Sequence, residues 1–255
     1  MISLFRKIRQ KLLQDLPPGK AGNQITRYMV YALGEIFLVV IGILIALSIN
    51  TWNENRKNAI ESRFQLTKLR DDLIADKDKI SSAIKRDERL IGNLIFGLKV
   101  LANDTLSTKE EFLDHFQSIY YTVNFVQTRG AFEALISSGK LQLISNQKIL
   151  DSLTAYYNDN GYKPWDNSLT EYTRNIIIPY LLNFDHIPIG VDYNPVDISK
   201  SSIPGKTLTD YKQDQFIINA VRLKIQLADG QKYAYSLVQA QIDSLINTID
   251  KELSK

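Results

Sequence analysis

Cysteine is absent from this 255-residue chain, which excludes a disulfide framework and any thiolate metal site. Histidine occurs twice, at His115 and His186. Neither has a second histidine at ligand spacing, so no histidine-dominated metal centre is expected. Proline is missing from Glu54 to Ala102, which removes the commonest helix breaker from that stretch. A large excess of one charge is missing too, since the formal net charge is +3. The first 27 residues hold Arg6, Lys7, Arg9, Lys11, Lys20 and Arg27 against Asp15, and Glu35 is the lone charge from there to Ile49. The rest of the chain therefore carries about −1, and the alkaline pI of the whole sequence comes from the N-terminal tail. No nucleic-acid partner is expected, because binding one would need a basic patch on the folded domain.

What the chain does have is one long apolar run. Ile36 to Leu47 reads IFLVVIGILIAL, inside a stretch from Tyr28 to Ile49 that holds thirteen Val, Leu, Ile or Phe residues. At a rise of about 1.5 Å per residue this is enough helix to cross a hydrocarbon layer about 30 Å thick. The apolar residues favour insertion by about 6 kcal/mol, against about 3 kcal/mol for one acidic group. Tyr28, Tyr31 and Trp52 fall where interfacial aromatic belts occur. A cleaved signal would need a shorter run and a shorter preceding tail, so an uncleaved signal-anchor is the reading. Phe5, Ile8, Leu12 and Leu16 recur at helical spacing within the basic tail. That tail is either a helix on an anionic leaflet or a solvated segment. The tail's lysines and arginines orient the N-terminus inward and the remainder outward.

Beyond the span, Leu66, Leu73, Ile80, Leu94 and Leu101 repeat every seven residues, interrupted by Asp87. Ile84, Ile91 and Leu98 supply a companion seam, replaced in the first half by Arg63, Arg70 and Lys77. The pattern predicts a long amphipathic helix packed against the chain's own later helices, ending at Asn103-Asp104. Ser107 with Glu110 forms a capping-box pattern for a helix holding Phe112, Leu113 and Phe116. A turn at Thr128-Arg129-Gly130 precedes a short helix, Ala131 to Ser137, stopped by Gly139. Ser145 can cap the next helix, whose apolar face holds Ile149, Leu150, Leu153 and Tyr157. Trp165 to Phe184 reads as helix with a kink at Pro179, and residues 186–209 read as a Pro-rich loop. Asp210 caps a helix to Ala228, and Asp229-Gly230 turns into a last helix carrying Val238, Ile242, Leu245 and Ile249. Those two final helices are expected to form an antiparallel hairpin.

The run GEIFLVVIGILIALSINTWNENRK, Gly34 to Lys57, resembles the start of an uncharacterised family of single-pass membrane proteins from Bacteroidetes. The opening MISLFRKIRQKLL is similar to that family's N-terminus, and FEALISSGKLQLISNQKILDSLTAYYN, Phe132 to Asn158, looks like its internal signature. The resemblance implies an N-terminal membrane anchor with a helical domain and assigns no activity, since the family is a domain of unknown function.

Glu35 is the most unusual residue of the span, because an ionised carboxylate there is costly. Gly42 lies on the same helical face with Ala46 beside it, a small-xxx-small spacing that permits close helix approach. Glu35, Gly42 and Ala46 are therefore a candidate membrane-helix contact, the alternative being a lipid-facing stripe. Tyr156, Tyr157, Tyr162, Trp165 and Tyr172 gather around one turn as a candidate aromatic pocket, the alternative being core packing. Ser138-Gly139-Lys140 lacks the first glycine of a phosphate loop, its place being taken by Ala134. Asn158-Asp159-Asn160-Gly161 lacks the first and last ligands of a calcium loop. Asp71-Asp72 and Glu110-Glu111 read as solvated helix faces, and no nucleophile–base pattern stands out.

The expectation is an all-α protein without cofactor or catalytic residues. Its parts are a basic cytoplasmic tail (1–27), a transmembrane helix (28–50), a long membrane-proximal helix (51–106) and an extracytoplasmic bundle (107–255) with the 186–209 loop. It would sit in a bacterial inner membrane with the bundle in the periplasm. Its partners would be the lipid bilayer and either a second copy or another membrane protein. The expected role is non-enzymatic protein–protein interaction in the envelope, or alternatively ligand sensing through a partner.

Overall fold

The computed structural model describes residues 23–186 and 202–255. The expectations for the tail up to residue 22 and for most of the 186–209 loop lie outside the described residues. The chain divides into two compact units, Met1–Ala59 and Ile60–Lys255. Every secondary-structure element among the described residues is helical, and none is a strand.

In the first unit the described residues belong to helix α1 (Asn23–Leu101). Every residue from Ala32 to Ala59 is exposed. The most apolar 18-residue window has a mean hydropathy of 2.6, and none of it is buried. This is one helix long and apolar enough, near the N-terminus, to cross a membrane.

In the second unit α1 is followed by α2 (Lys109–Phe116), α3 (Gly130–Ser137), α4 (Gln147–Asn158), α5 (Lys163–Tyr172), α6 (Ile178–Phe184), α7 (Leu208–Gln213) and α8 (Gln215–Leu253). The buried stripe of α1 runs Leu66, Leu69, Leu73, Asp76, Ile80, Ala83, Asp87, Leu90, Leu94, Gly97, Leu101. These alternating steps of three and four are the spacing of a helix seam. The companion positions are therefore Leu69, Asp76, Ala83, Leu90 and Gly97. Ile84, Ile91 and Leu98, expected in that role, are half-buried at the seam's flank.

Helix α8 runs antiparallel to this stretch. Arg70 pairs with Asp250 at 2.5 Å and Lys77 with Asp243 at 2.6 Å, while Gln239 donates to Ser81 at 2.7 Å. Each step forward on α1 is matched by an equal step back on α8. Helices α4 and α5 also pack on α8.

Two apolar clusters result. One joins Leu66–Ala83 of α1, Phe132 and Leu135 of α3, α4 and the C-terminal half of α8. The other joins Leu90–Leu101 of α1, Phe112 and Phe116 of α2, Leu169 of α5, and the N-terminal half of α8.

Helix ends follow local chemistry, often one residue from the expected place. Asn103 takes the left-handed conformation (φ 63°). The amides of Asn103 and Asp104 return to Val100 and Lys99 oxygens, closing α1 in a Schellman motif. The cap of α2 is Thr108 rather than Ser107, whose hydroxyl instead reaches Glu111. Asn146 rather than Ser145 caps α4. Thr207 caps α7 in a capping box with Asp210 at its third position, and Asp214 caps α8. Around Pro179 the helix widens into a π turn over Thr173–Ile177, and Pro179 sits in the first turn of α6, where its missing N–H costs least.

The expected hairpin at Asp229-Gly230 is overturned, because α8 continues through both residues. Gly230 serves packing instead of turning. A Cβ there would lie 2.1 Å from the Trp165 ring, which rests against the backbone of α8.

Candidate functional site

Between α2 and α3 the chain crosses the second unit from Tyr121 to Arg129 without helical or strand pairing. Phe125 and Gln127 are buried while Asn124 and Val126 face out, a strand-like alternation with no neighbouring strand. Its buried backbone groups must find other partners, and buried polar side chains supply them. Lys224 donates to the Tyr121 carbonyl at 2.9 Å, and Gln231 to the Val123 carbonyl at 2.6 Å. The Phe125 amide donates to Tyr235 at 3.0 Å, and the Tyr235 hydroxyl donates to Asp166 at 2.6 Å. The Thr128 amide donates to Asp76 at 2.8 Å, as does the Thr128 hydroxyl at 2.6 Å. Tyr156 donates to the other Asp76 oxygen at 2.7 Å. In return Gln127 and Arg129 donate to the carbonyls of Tyr156 and Tyr157 at 2.8 and 2.6 Å, satisfying the end of α4.

Asp87, Asp166 and Gln231 form a polar layer. Each interrupts the apolar face of its own helix between the two clusters: Asp87 between Ala83 and Leu90, Asp166 between Tyr162 and Leu169, and Gln231 between Ala228 and Ala234. Asp166 accepts from Gln231 at 2.6 Å. The register of α1 against α8 continues to set Asp87 opposite residues 231–235. Asp87 is fully buried, yet among the described residues neither carboxylate oxygen has a hydrogen-bond partner, and the Gln231 Oε1 is also unpartnered.

Burial dominates the electrostatics of this layer. It pushes the Asp87 carboxyl up to about 7, with the Asp166 charge adding to the effect and Arg86, Lys224 and Lys232 opposing it. Burial likewise raises Asp166, against the hydrogen bonds from Tyr235, Gln231 and Phe125. It brings the fully buried Lys224 ammonium down to about 7, with Asp87 as the opposing charge. Lys224 also donates to the Thr173 hydroxyl, at the start of the π turn.

The residues singled out in the sequence are distributed otherwise. Glu35, Gly42 and Ala46 are exposed on α1, and a Cβ at Gly42 would meet nothing within 4 Å. Three of the five aromatics of the expected pocket, Tyr156, Tyr157 and Tyr162, are core residues, while Tyr172 is half-buried and Trp165 exposed. Tyr156, Tyr157 and Tyr162 are 1–2% exposed. Tyr157 stacks on Phe132 with centroids 4.3 Å apart, and Tyr162 meets Phe125 edge-on at 5.2 Å. Trp165 covers Gly230, and the Tyr172 hydroxyl donates to the Ala220 carbonyl at 3.4 Å. A groove of about 470 Å³ opens instead between α1 and α3, lined by Lys68, Asp71, Asp72, Ala134 and Lys140 among others.

Asp72, expected on a solvated face, is half-buried and accepts the Ala131 amide at 2.9 Å, capping α3 from outside it. Gly139 adopts φ +68° and ends α3. Asp159 accepts the Gly161 amide at 2.7 Å in a tight turn. His115 bonds Asn93 at 3.1 Å. Among the described residues no group of three or more His, Cys, Asp or Glu is placed to hold a metal ion.

Sequence reasoning flagged Asp87 only as a break in the heptad, and missed Asp76, Asp166, Lys224 and Gln231 as a set. The available signal was a polar residue on an apolar stripe, repeated on three helices.

Compared with known proteins, the chain matches the model of a family of unknown function (DUF6090) over residues 35–173, more than half its length. That span includes Asp76, Asp87, the crossing segment and Asp166. No curated protein and no solved structure matches the chain.

Proposed function

The chain belongs to the DUF6090 family of unknown function, and on that premise we propose that it is a single-pass, membrane-anchored envelope protein whose helical unit binds other proteins. The observation that carries this reading is the apolar window of α1, with mean hydropathy 2.6 and no residue buried. Leaving that surface in water would cost several kcal/mol relative to a bilayer. The basic tail supports an N-terminus on the cytoplasmic side and the bundle in the periplasm of a bacterial inner membrane. The likeness of Gly34–Lys57 to single-pass proteins of Bacteroidetes supports the same origin and placement. The role is non-enzymatic, acting through contact. Leu223, Tyr233 and Leu237 of α8 are exposed apolar side chains, the surface this reading offers to a partner.

The test exploits the absence of cysteine. Single cysteines at Ser3 and Ser254 are probed in intact cells with a membrane-impermeant maleimide. Labelling at Ser254→Cys alone is the expected result. Crosslinking in the native envelope is expected to recover a membrane protein or a second copy. Full-length chain in the soluble fraction without detergent would overturn the anchor, and a crosslinked envelope yielding only monomer would overturn the binding role.

A further inference from the structure

Asp76 and Asp87 lie on the same buried stripe of α1 and both are fully buried, but their surroundings differ in kind. Asp76 is met by Thr128 and Tyr156 donors. Among the described residues, Asp87 is met by none. A buried carboxylate that holds its charge needs donors, and without them its favoured form is the neutral acid. The charged and polar groups facing it are Arg86 on its own helix, Asp166 on α5, and Lys224 and Lys232 on α8, with Tyr235 beside Asp166. Lys232 is engaged by Asp229 at 3.0 Å. Lys224 is engaged by the Tyr121 carbonyl and Thr173. Neither forms an ion pair with Asp87 among the described residues.

We propose that Asp87 is a proton-binding site in the core of the second unit, and that its occupancy, with the charge on Lys224, sets how tightly the Tyr121–Arg129 segment is held. The proton is the ligand, and Asp87 is its acceptor. The layer that Asp87 joins is the one that fastens Val123 and Phe125, so charging Asp87 loads the contacts made by Gln231, Asp166 and Tyr235. Lys224 fastens Tyr121 at the same time. This inference does not depend on the membrane or partner reading, because it concerns the second unit's own response to pH.

The two groups act with opposite signs. Asp87 is raised from 3.8 to about 7, so its contribution to stability is full below pH 4 and is lost as pH rises through 7. Lys224 is lowered from 10.5 to about 7, so its contribution is full above pH 10.5 and is lost as pH falls through 7. Together they give the folded unit a stability trough near neutral pH.

The experiment follows thermal unfolding of the full chain in detergent micelles from pH 5 to 9, for the wild type, Asp87→Asn and Lys224→Met. From pH 5 to 7 the wild type is expected to lose about 3 °C or more relative to Asp87→Asn. From pH 9 down to 7 it should lose a similar amount relative to Lys224→Met. Amide exchange at Val123–Phe125, corrected for intrinsic rate, should quicken from pH 5 to 7 in the wild type and stay flat over that range in Asp87→Asn. If Lys224→Met fails to fold, the Asp87→Asn comparison decides alone. Parallel wild-type and Asp87→Asn curves over pH 5–7 would overturn the proposal. So would a carboxyl carbon of Asp87 that titrates by NMR in the ordinary aspartate range.

Discussion

Asp76 and Asp87 stand eleven positions apart on one helix stripe, equally buried and oppositely treated. Asp76 does a backbone's work: it takes the amide and hydroxyl of Thr128 and the Tyr156 hydroxyl, groups that would otherwise be stranded. Asp87 takes nothing from any described residue. The difference between the two lies in what their oxygens accept, not in their depth. Asp166 falls on the Asp76 side of that division, and Lys224, Gln231 and Tyr235 join it through their bonds to the backbone of the same segment. Each holds a piece of a chain segment that has no ladder of its own.

The comparison can be broken by four substitutions, of decreasing expected effect. Asp76→Ala leaves the half-buried Thr128 donors and the buried Tyr156 hydroxyl without their acceptor, so chemical denaturation should show a loss of about 3–5 kcal/mol. Gly230→Ala drives a methyl into the Trp165 ring. Trp165 and Gly230 adjoin Asp166 and Gln231 in sequence, so the substitution pushes apart the two helices that join in the polar layer. A loss of about 1–3 kcal/mol is expected, and a double-mutant cycle with Trp165→Leu should recover most of it. Asp87→Leu should act in the opposite direction, gaining about 1–2 kcal/mol at pH 7 and much less at pH 5. Lys77→Ala removes a half-exposed pair with Asp243 and should cost no more than about 0.5 kcal/mol, which would separate seam-flank charges from core ones.

Much of the helical scaffold was legible because it obeys local rules. The seven-residue repeat from Leu66, the stop at Asn103, the end at Gly139 and the stripe from Val238 to Ile249 each depend on neighbours within two turns. Three features were not legible for a physical reason. The companion seam on α1 runs through Asp76, Ala83 and Gly97, which carry little apolar signal. Asp229-Gly230 has the composition of a turn, while the reason for glycine there is a tryptophan 65 positions earlier. The polar layer draws Asp87, Asp166 and Gln231 from three helices, and nothing in any one of them announces the other two. The five aromatics around the Asn158–Lys163 turn show the converse. Their clustering was visible, but clustering alone does not say which of them are core: Tyr156, Tyr157 and Tyr162 are buried, Tyr172 is half-buried and Trp165 is exposed.

Amide hydrogen exchange at Thr128 and Phe125, measured in the full chain for wild type, Asp76→Ala and Asp87→Leu, tests the division between the two aspartates most directly. Asp76→Ala is expected to speed exchange at Thr128 by roughly 100-fold, while Asp87→Leu leaves Thr128 as protected as in the wild type and, at pH 7, leaves Phe125 more protected. Equal deprotection by the two substitutions would contradict the account.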